Sequence, residues 1–378
     1  MELPLYTILS FSAAFLYLLL LLWITTGWYR LGKKKLSPEN TAVTVSVVVP
    51  VRNEARVISR CLSSLTAQHY PEDKYEILVV DDHSSDDTAR IVQTFVDNHA
   101  GVKVKLLPLA AESGKKQAIH HAVQHATGKL ILCTDADCQH PPAWIRAMAD
   151  CFAAEKPVFI SGPVMLNTRG GFAGLFQETE FASLIASGAG SIGMNTPTMC
   201  NGANLGFSAM AYRRLDNDAM RHSIVSGDDV FLMMSLKQRY GPERVRFLKS
   251  RDALVVAEGK DTLSDYLKQR FRWVSKSHAY RDSFLIFTAL TVFACNSVIL
   301  LTAVLAMVDG DFLQLLWLLF AVKVIADFWL LASFMSFAGK ARHLWLIPLF
   351  QPLVIVFTVV AAVAGNLYRG EWKGRRVN

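Results

Sequence analysis

The chain has 378 residues and a formal net charge of +7; 52% of residues are hydrophobic and only 19% charged, against ~25% charged in ordinary soluble domains. That length holds one large or two ordinary domains, and the apolar excess excludes a wholly soluble one. The basic residues cluster beside the apolar segments, which argues against nucleic acid as a partner and for anionic headgroups or a phosphorylated substrate.

Residues 3–28 carry no charge, enough for a helix across a hydrocarbon core, which takes ~20 residues. No basic stretch precedes this run and no small-x-small cleavage site follows it, so it reads as an uncleaved anchor spanning 1–29. Arg30, Lys33, Lys34 and Lys35 come next and place the following region in the cytosol by the positive-inside rule.

From residue 43 the pattern alternates between β-branched runs and helical stretches. VTVSVVVP (43–50), YEILVV (75–80), VKVKLL (102–107), KLILCT (129–134) and VFISGPV (158–164) read as five strands. Between them, Asn53 caps a helix faced by Val57, Ile58, Cys61, Leu62 and Leu65, and DTARIVQTFV and KQAIHHAVQH are helices. The expectation is an α/β fold: a mostly parallel sheet with helices on both faces, binding its ligand at the carboxyl ends of the strands.

Those ends carry PVRNE (50–54), DDHSSDD (81–87) and DAD (135–137). Carboxylates gathered at one edge repel unless a cation or hydrogen bonds stabilise them. A hard divalent ion, Mg²⁺ or Mn²⁺, held by one or two of them and by substrate phosphates fits. Gly114-Lys115-Lys116 is no P-loop, but beside such a site Lys115 would be a counter-charge for phosphate.

GAGSIG (188–193) matches the GxGxxG pattern without the strand that a dinucleotide site needs in front of it. The stretch 171–195 reads instead as a helix along the membrane interface, with Phe172, Leu175, Phe176, Phe181 and Leu184 as its apolar side. CNGANLGFS (200–208) suits a loop that approaches a ligand, and Asp228 and Asp229 of SGDDVFL start a helix as candidates for a general base. In LKQRFRW, Gln269, Arg272 and Trp273 share a helical face, and Arg270 points elsewhere, toward phosphate or headgroups. The segment 262–283 is then a second interfacial helix closing a cytosolic domain of 30–283.

Residues 284–308, 312–338 and 344–368 are three further membrane-length segments, and 369–378 is a basic tail. Lys323 and Asp327 interrupt the second of the three at i, i+4, where they can pair. Three crossings after a cytosolic domain put the C-terminus outside, whereas the tail charge argues for inside; Pro348 and Pro352 make the last segment the weakest crossing. The six cysteines form no CxxC pair and read as reduced packing residues.

In order, VVVPVRNEA, VVDDHSSDD, GKKQA, DAD, GDD and QRFRW resemble the motifs of a membrane-integrated family 2 glycosyltransferase with a GT-A fold, over roughly residues 43–273. That group includes cellulose, hyaluronan and poly-N-acetylglucosamine synthases, ceramide glucosyltransferases and bacterial glycolipid or carotenoid glycosyltransferases. The resemblance implies a nucleotide-sugar donor, a UDP-sugar of a hexose or N-acetylhexosamine. It puts Asp82 at the uracil, Glu54, Pro50 and Val51 near the nucleoside, and Lys115 on the diphosphate. Asp135 and Asp137 become the DxD pair, with Asp137 the main ligand of Mg²⁺ or Mn²⁺. Asp229, or Asp228 beside it, becomes the catalytic base; Gln269, Arg270 and Arg272 meet the donor, and Trp273, Gly202 and Asn204 the acceptor. Three departures stand out: TED reads GDD, GKAxALN reads GKKQAIH with His120 in place of Asn, and the acceptor-side aromatic-Gly segment reads CNGANLGF.

The implied reaction is inverting transfer to a hydroxyl acceptor, a lipid, at the cytosolic face of a bacterial inner membrane. A processive polysaccharide synthase is the alternative, and a non-catalytic scaffold or transporter a distant one. The sequence leaves the oligomeric state open.

Overall fold

The structure is a computed structural model and describes residues 3–32, 43–99, 101–110, 113–215, 228–367, 371–372 and 375–376. Lys33, Lys34 and Lys35 and most of the basic tail lie outside the described residues.

In chain order the elements begin with α1 (Leu3–Arg30), β1 (Val45–Val51), α2 (Ile58–Thr66), β2 (Tyr75–Asp81), α3 (Thr88–Asn98), β3 (Lys103–Pro108) and α4 (Lys115–His125). Next come β4 (Leu130–Cys133), β5 (Cys138–Gln139), α5 (Trp144–Glu155), β6 (Phe159–Ser161), β7 (Val164–Asn167), α6 (Gly171–Gly193) and β8 (Leu205–Ser208). The chain continues through α7 (Ala209–Arg213), α8 (Asp228–Tyr240), β9 (Val245–Phe247), β10 (Val255–Glu258) and α9 (Leu263–Val274). It ends in α10 (Ser283–Val308), α11 (Phe312–Phe337) and α12 (Leu346–Leu367). Two compact units result. One holds Leu31–Asn167, Met199–Gly259 and Glu371–Asn378, and the other holds Met1–Arg30, Thr168–Thr198 and Lys260–Gly370.

The first unit is built on a seven-stranded sheet of order β3-β2-β1-β4-β8-β6-β9. The β3, β2, β1 and β4 pairings are parallel, as the β-branched runs require, and Val47, Val48 and Val49 of β1 are fully buried. VFISGPV departs from the single fifth strand expected. It breaks at Gly162-Pro163 into β6 and β7, and β7 joins a second sheet, β5-β10-β7. The segment expected as a ligand loop supplies β8, which runs antiparallel between β4 and β6.

That insertion overturns the expectation for Asn204 as an acceptor contact. Asn204 is fully buried; its Nδ2 donates to Pro163 O and Ala253 O, both at 2.8 Å, and its Oδ1 accepts from Trp144 Nε1 at 2.9 Å. Both amide hydrogens and one lone pair are spent on tying three segments together, at a side chain closed to solvent. Gly202 is buried beside it. On the other side of the sheet, Glu76 of β2 plays a comparable part. Burial alone would raise its carboxyl. Bonds from Thr127 Oγ1 (2.6 Å), Thr127 N (2.8 Å), Lys105 Nζ (3.1 Å) and Ser46 Oγ (2.9 Å) outweigh burial and bring it from 4.5 down to about 2.

In the second unit, α1, α10, α11 and α12 are each long and apolar enough to cross a membrane, over Leu5–Arg30, Ser283–Val308, Phe312–Phe337 and Leu346–Gly365. They turn large apolar side chains outward, among them Phe15, Leu290, Trp317 and Trp329, as helices solvated by lipid do. The expected Lys323–Asp327 pair forms at 2.8 Å in the interior, and Tyr17 of α1 and Gln351 of α12 complete it.

Thr168–Thr198 and the segment from Lys260 onward belong to this unit, although the sequence placed both in the 30–283 domain. The reason lies in α6, expected as a helix along the membrane interface: Phe176, Phe181, Glu178 and Glu180 are all buried, and Phe172 is exposed. GAGSIG is its last two turns and serves a close helix crossing. A Cβ on Gly27 of α1 would stand 1.9 Å from Gly190 O, and one on Gly193 would stand 2.1 Å from Gly27 O.

Two outcomes are expected from denaturation of the full-length protein in detergent. The folded carboxyl of Glu76 lies below its unfolded value, so its contribution is complete above the unfolded value of 4.5 and is lost as pH falls toward 2. Glu76→Gln should therefore cost about 3 kcal/mol at pH 7 and less than half of that near pH 3; an equal cost at both would refute the account. Asn204→Ala should cost about 2–4 kcal/mol through its three stranded partners. Normal stability with lost acceptor use would restore the loop reading instead.

Candidate functional site

The loops after β1 and β2 are stitched to one another. Val51 O accepts from Asp82 N at 2.9 Å, and Arg52 Nη1 donates to Asp82 O at 2.8 Å. Asn53 sits at φ +53°, a left-handed conformation that asparagine tolerates, and its Oδ1 accepts from Ser85 N at 2.8 Å. It therefore does not cap α2 as expected: the helix starts later, after Val57, with no side-chain cap. Glu54 N donates to Thr88 Oγ1 (2.8 Å) and Ala55 N to Asp86 Oδ2 (3.2 Å). Asp81 accepts from Ser84, and Asp87 pairs with Arg90. Three of the four carboxylates of DDHSSDD thus hold the loop itself, leaving Asp82 as its candidate for the nucleoside.

Asp82 is buried and links onward: its Oδ2 accepts from Gly114 N at 3.0 Å. Gly114 has φ +115°, open to glycine and strained for other residues, and that turn starts α4 with Lys115 at its head. Lys115 Nζ reaches Asp135 Oδ1 at 2.5 Å, on the turn that follows β4. Asp82, Gly114, Lys115 and Asp135 therefore form one bonded chain along the carboxyl ends of the strands.

Asp137 lies beside it and accepts from Cys138 Sγ at 3.6 Å. Burial, then Asp137 and Asp135 in that order, push the thiols of Cys61 and Cys138 up, so both carboxylates lie near two buried thiols. Underneath, His140 bonds Thr134 Oγ1 (2.8 Å) and Ser64 Oγ (3.0 Å), and burial holds it neutral with a pKa of about 3. It props the DAD turn.

The helix that begins at Asp228 meets α4 through a side-chain contact. Lys116 Nζ lies 4.8 Å from the centre of the Phe231 ring, which brings the first turn of α8 to the first turn of α4. Asp229 is half-buried there, with Oδ1 accepting from Val230 N at 2.8 Å. Ser226, Gly227 and the side chain of Asp228 lie outside the described residues.

QRFRW forms the C-terminal half of α9, in the helical unit. Gln269, Arg272 and Trp273 are half-buried. Arg270 contradicts the expectation that it points to phosphate or headgroups. It is buried, paired with Glu180 of α6 and hydrogen-bonded to Tyr266, and its Cζ stands 4.4 Å from the centre of the Trp273 ring. Its charge is engaged inside the protein, on the same side of the helix as Trp273. Sequence reasoning passed over Glu180 and Tyr266. The readable signal was QETE (177–180), four polar residues inside an otherwise apolar helix.

Residues 46–214 match the family model described as Glycosyl transferase family 2. The match holds the strand-end loops, GKK and DAD, and stops before Asp229 and QRFRW. The glycosyltransferase AglE of Haloferax volcanii is 35% identical over 145 residues, 38% of this chain and 47% of that protein. An undecaprenyl-phosphate 4-deoxy-4-formamido-L-arabinose transferase of Sodalis glossinidius is 31% identical over 179 residues, 47% of this chain and 51% of that protein. The chain thus spans about half the length of these curated relatives. Among solved structures, the mannosyltransferase PcManGT from Pyrobaculum calidifontis, in complex with GDP-Man and Mn²⁺, shares the fold. Its TM-score is 0.58 at 19% identity, over 97% of this chain and 99% of that one. Residues 46–214 thus match a glycosyl transferase family 2 domain and share the GT-A fold, and four helices among the described residues have membrane-crossing length and composition.

Proposed function

We propose that the protein transfers one sugar from a nucleotide-sugar donor, a UDP-sugar, to a hydroxyl of a lipid at the cytosolic face of a bacterial inner membrane, with inversion. The observation that carries this reading is the bonded chain Asp82–Gly114–Lys115–Asp135 at the carboxyl ends of the parallel strands, with Asp137 beside it. It offers acceptors for a base and ribose, a cation for a diphosphate and two carboxylates for a metal.

The residues fit a divalent cation. Asp135 and Asp137 are hard oxygen ligands two residues apart on one half-buried turn, and among the described residues no third His, Cys, Asp or Glu completes a protein cage. Such a site takes its other ligands from substrate phosphates, the habit of Mg²⁺ or Mn²⁺. When bound, the ion would neutralise charge on the diphosphate.

In the proposed reaction, Asp229 takes the proton of the acceptor hydroxyl as that oxygen attacks the anomeric carbon. Lys115 stabilises the departing diphosphate. A single displacement with one base inverts the anomeric centre, so an α-linked donor gives a β-glycoside. The roles of Gln269 and Arg272 at the donor and of Trp273 at the acceptor rest on the resemblance of QRFRW. The four membrane-length helices, and the lipid carrier in the name of the Sodalis relative, support a lipid acceptor.

The test uses full-length protein in membranes, given labelled UDP-glucose, UDP-N-acetylglucosamine or GDP-mannose with Mg²⁺ or Mn²⁺. One sugar per extracted lipid is expected. A ladder of lengths would mean polymer synthesis, and no labelled product from any donor would sink the reading. Asp229→Asn should lower turnover at least ~10²-fold while UDP still binds. Full turnover in that variant would transfer the role to Asp228.

A further inference from the structure

α6 and α9 are already joined without any charge. Phe176 stacks edge-on against Tyr266, Phe350 and Phe357 at 6.4, 5.7 and 5.9 Å, and the Gln177 amide clamps the backbone of Lys260 at 3.0 and 3.1 Å. A buried ion pair between the same helices adds little docking energy, because desolvation of both ions offsets their attraction. What the pair does supply is a fixed geometry. Glu180 accepts from both Arg270 Nη2 and Tyr266 Oη. Tyr266 Oη in turn accepts from Arg270 Nη2 at 2.9 Å. The guanidinium is thereby held in one plane, with its Cζ 4.4 Å from the Trp273 ring centre and 5.9 Å from that of Phe181. Phe181, the residue after Glu180, stands 6.4 Å from Trp273. One side of the indole is thus set by α6 and by the cation that α6 holds. Arg270 Nη1, buried and without a hydrogen-bond partner, fits a cation anchored at one end and resting on aromatic faces at the other.

We propose that Glu180 is a positioning residue for sugar transfer: through Arg270 and Tyr266 it fixes the plane in which Trp273 meets the acceptor. This rests on the acceptor-side reading of Trp273 given above. Aromatic stacking on a sugar or lipid headgroup tolerates little tilt, and a misplacement of about 1 Å can cost ~10² in rate.

The experiment uses full-length protein in membranes with whichever of the three labelled donors turns over. Sugar transferred to lipid and sugar released by hydrolysis are measured separately, and UDP binding alongside. Glu180→Gln should lower the ratio of transfer to hydrolysis at least about tenfold, with UDP affinity within about twofold of wild type. Arg270→Lys should do the same, because an ammonium cannot reproduce the planar fork. Trp273 emission, isolated by comparison with Trp273→Phe, should shift in the Glu180→Gln background. A folded Glu180→Gln chain with a wild-type ratio, or one whose transfer and hydrolysis fall together, would overturn the proposal. Should Glu180→Gln fail to fold, Tyr266→Phe keeps the ring and its packing, and an unchanged ratio there overturns it equally. Wild-type protein that transfers no sugar defeats the acceptor-side reading instead; an unshifted Trp273 emission would then count against Glu180 on its own.

Discussion

A charge buried among apolar helices must be paired, and that constraint organises the helical unit. Lys323 pairs with Asp327, Glu178 with Lys340, and Glu180 with Arg270. The first pair stays within α11 but is completed from α1 and α12; the other two join α6 to the α11–α12 connection and to α9. Leu, Ile and Phe surfaces in lipid gain nothing by meeting one another, so shape and polar bonds must specify which helix meets which. The QETE run of α6 supplies much of that specification. Gln177 takes Lys260, Glu178 takes Thr168 and Lys340, and Glu180 takes Arg270 and Tyr266. The glycines of the same helix let α1 approach within backbone contact.

The sheet unit solves a different problem with the same groups. There the carboxylates crowd one edge, and most are disarmed by local hydrogen bonds before any ligand is considered. Asp81 and Asp86 are used up by Ser84 and by Thr88 with Ala55, and Glu76 anchors the far side of β2. Asp82 bonds its neighbour His83 but also accepts from Gly114, and Asp135 takes Lys115, so these two carboxylates link separate strand ends. An acidic cluster in a sequence therefore overstates the site. Asp81 and Asp87 are held within their own turn or the helix that follows, and Asp86 also ties that turn to the loop after β1.

The same distinction explains what was legible in advance. β1, β2 and β4 were readable because apolar runs in a parallel sheet are buried on both faces. The Lys323–Asp327 pair was readable because i, i+4 is a local rule. Asn204 was misread because its partners Trp144, Pro163 and Ala253 lie 41 to 60 residues away, and its own stretch is rich in small residues that look like a loop. Arg270 was misread for the converse reason. The helical wheel gave its direction relative to Gln269 and Arg272, but not the buried Glu180 that turns it inward. The antiparallel β8, entering the sheet between β4 and β6, leaves no periodic trace in four residues.

Lys115 shows how pairing and chemistry meet in one side chain. Its ammonium already sits on Asp135, so any phosphate that it contacts shares it with a carboxylate. The bond with Asp135 holds the ammonium in one place, which is the geometry that the proposed leaving-group role of Lys115 asks for. It also accounts for the glycine before Lys115, since only the left-handed turn at Gly114 brings that ammonium to Asp135 while its own N–H is handed to Asp82.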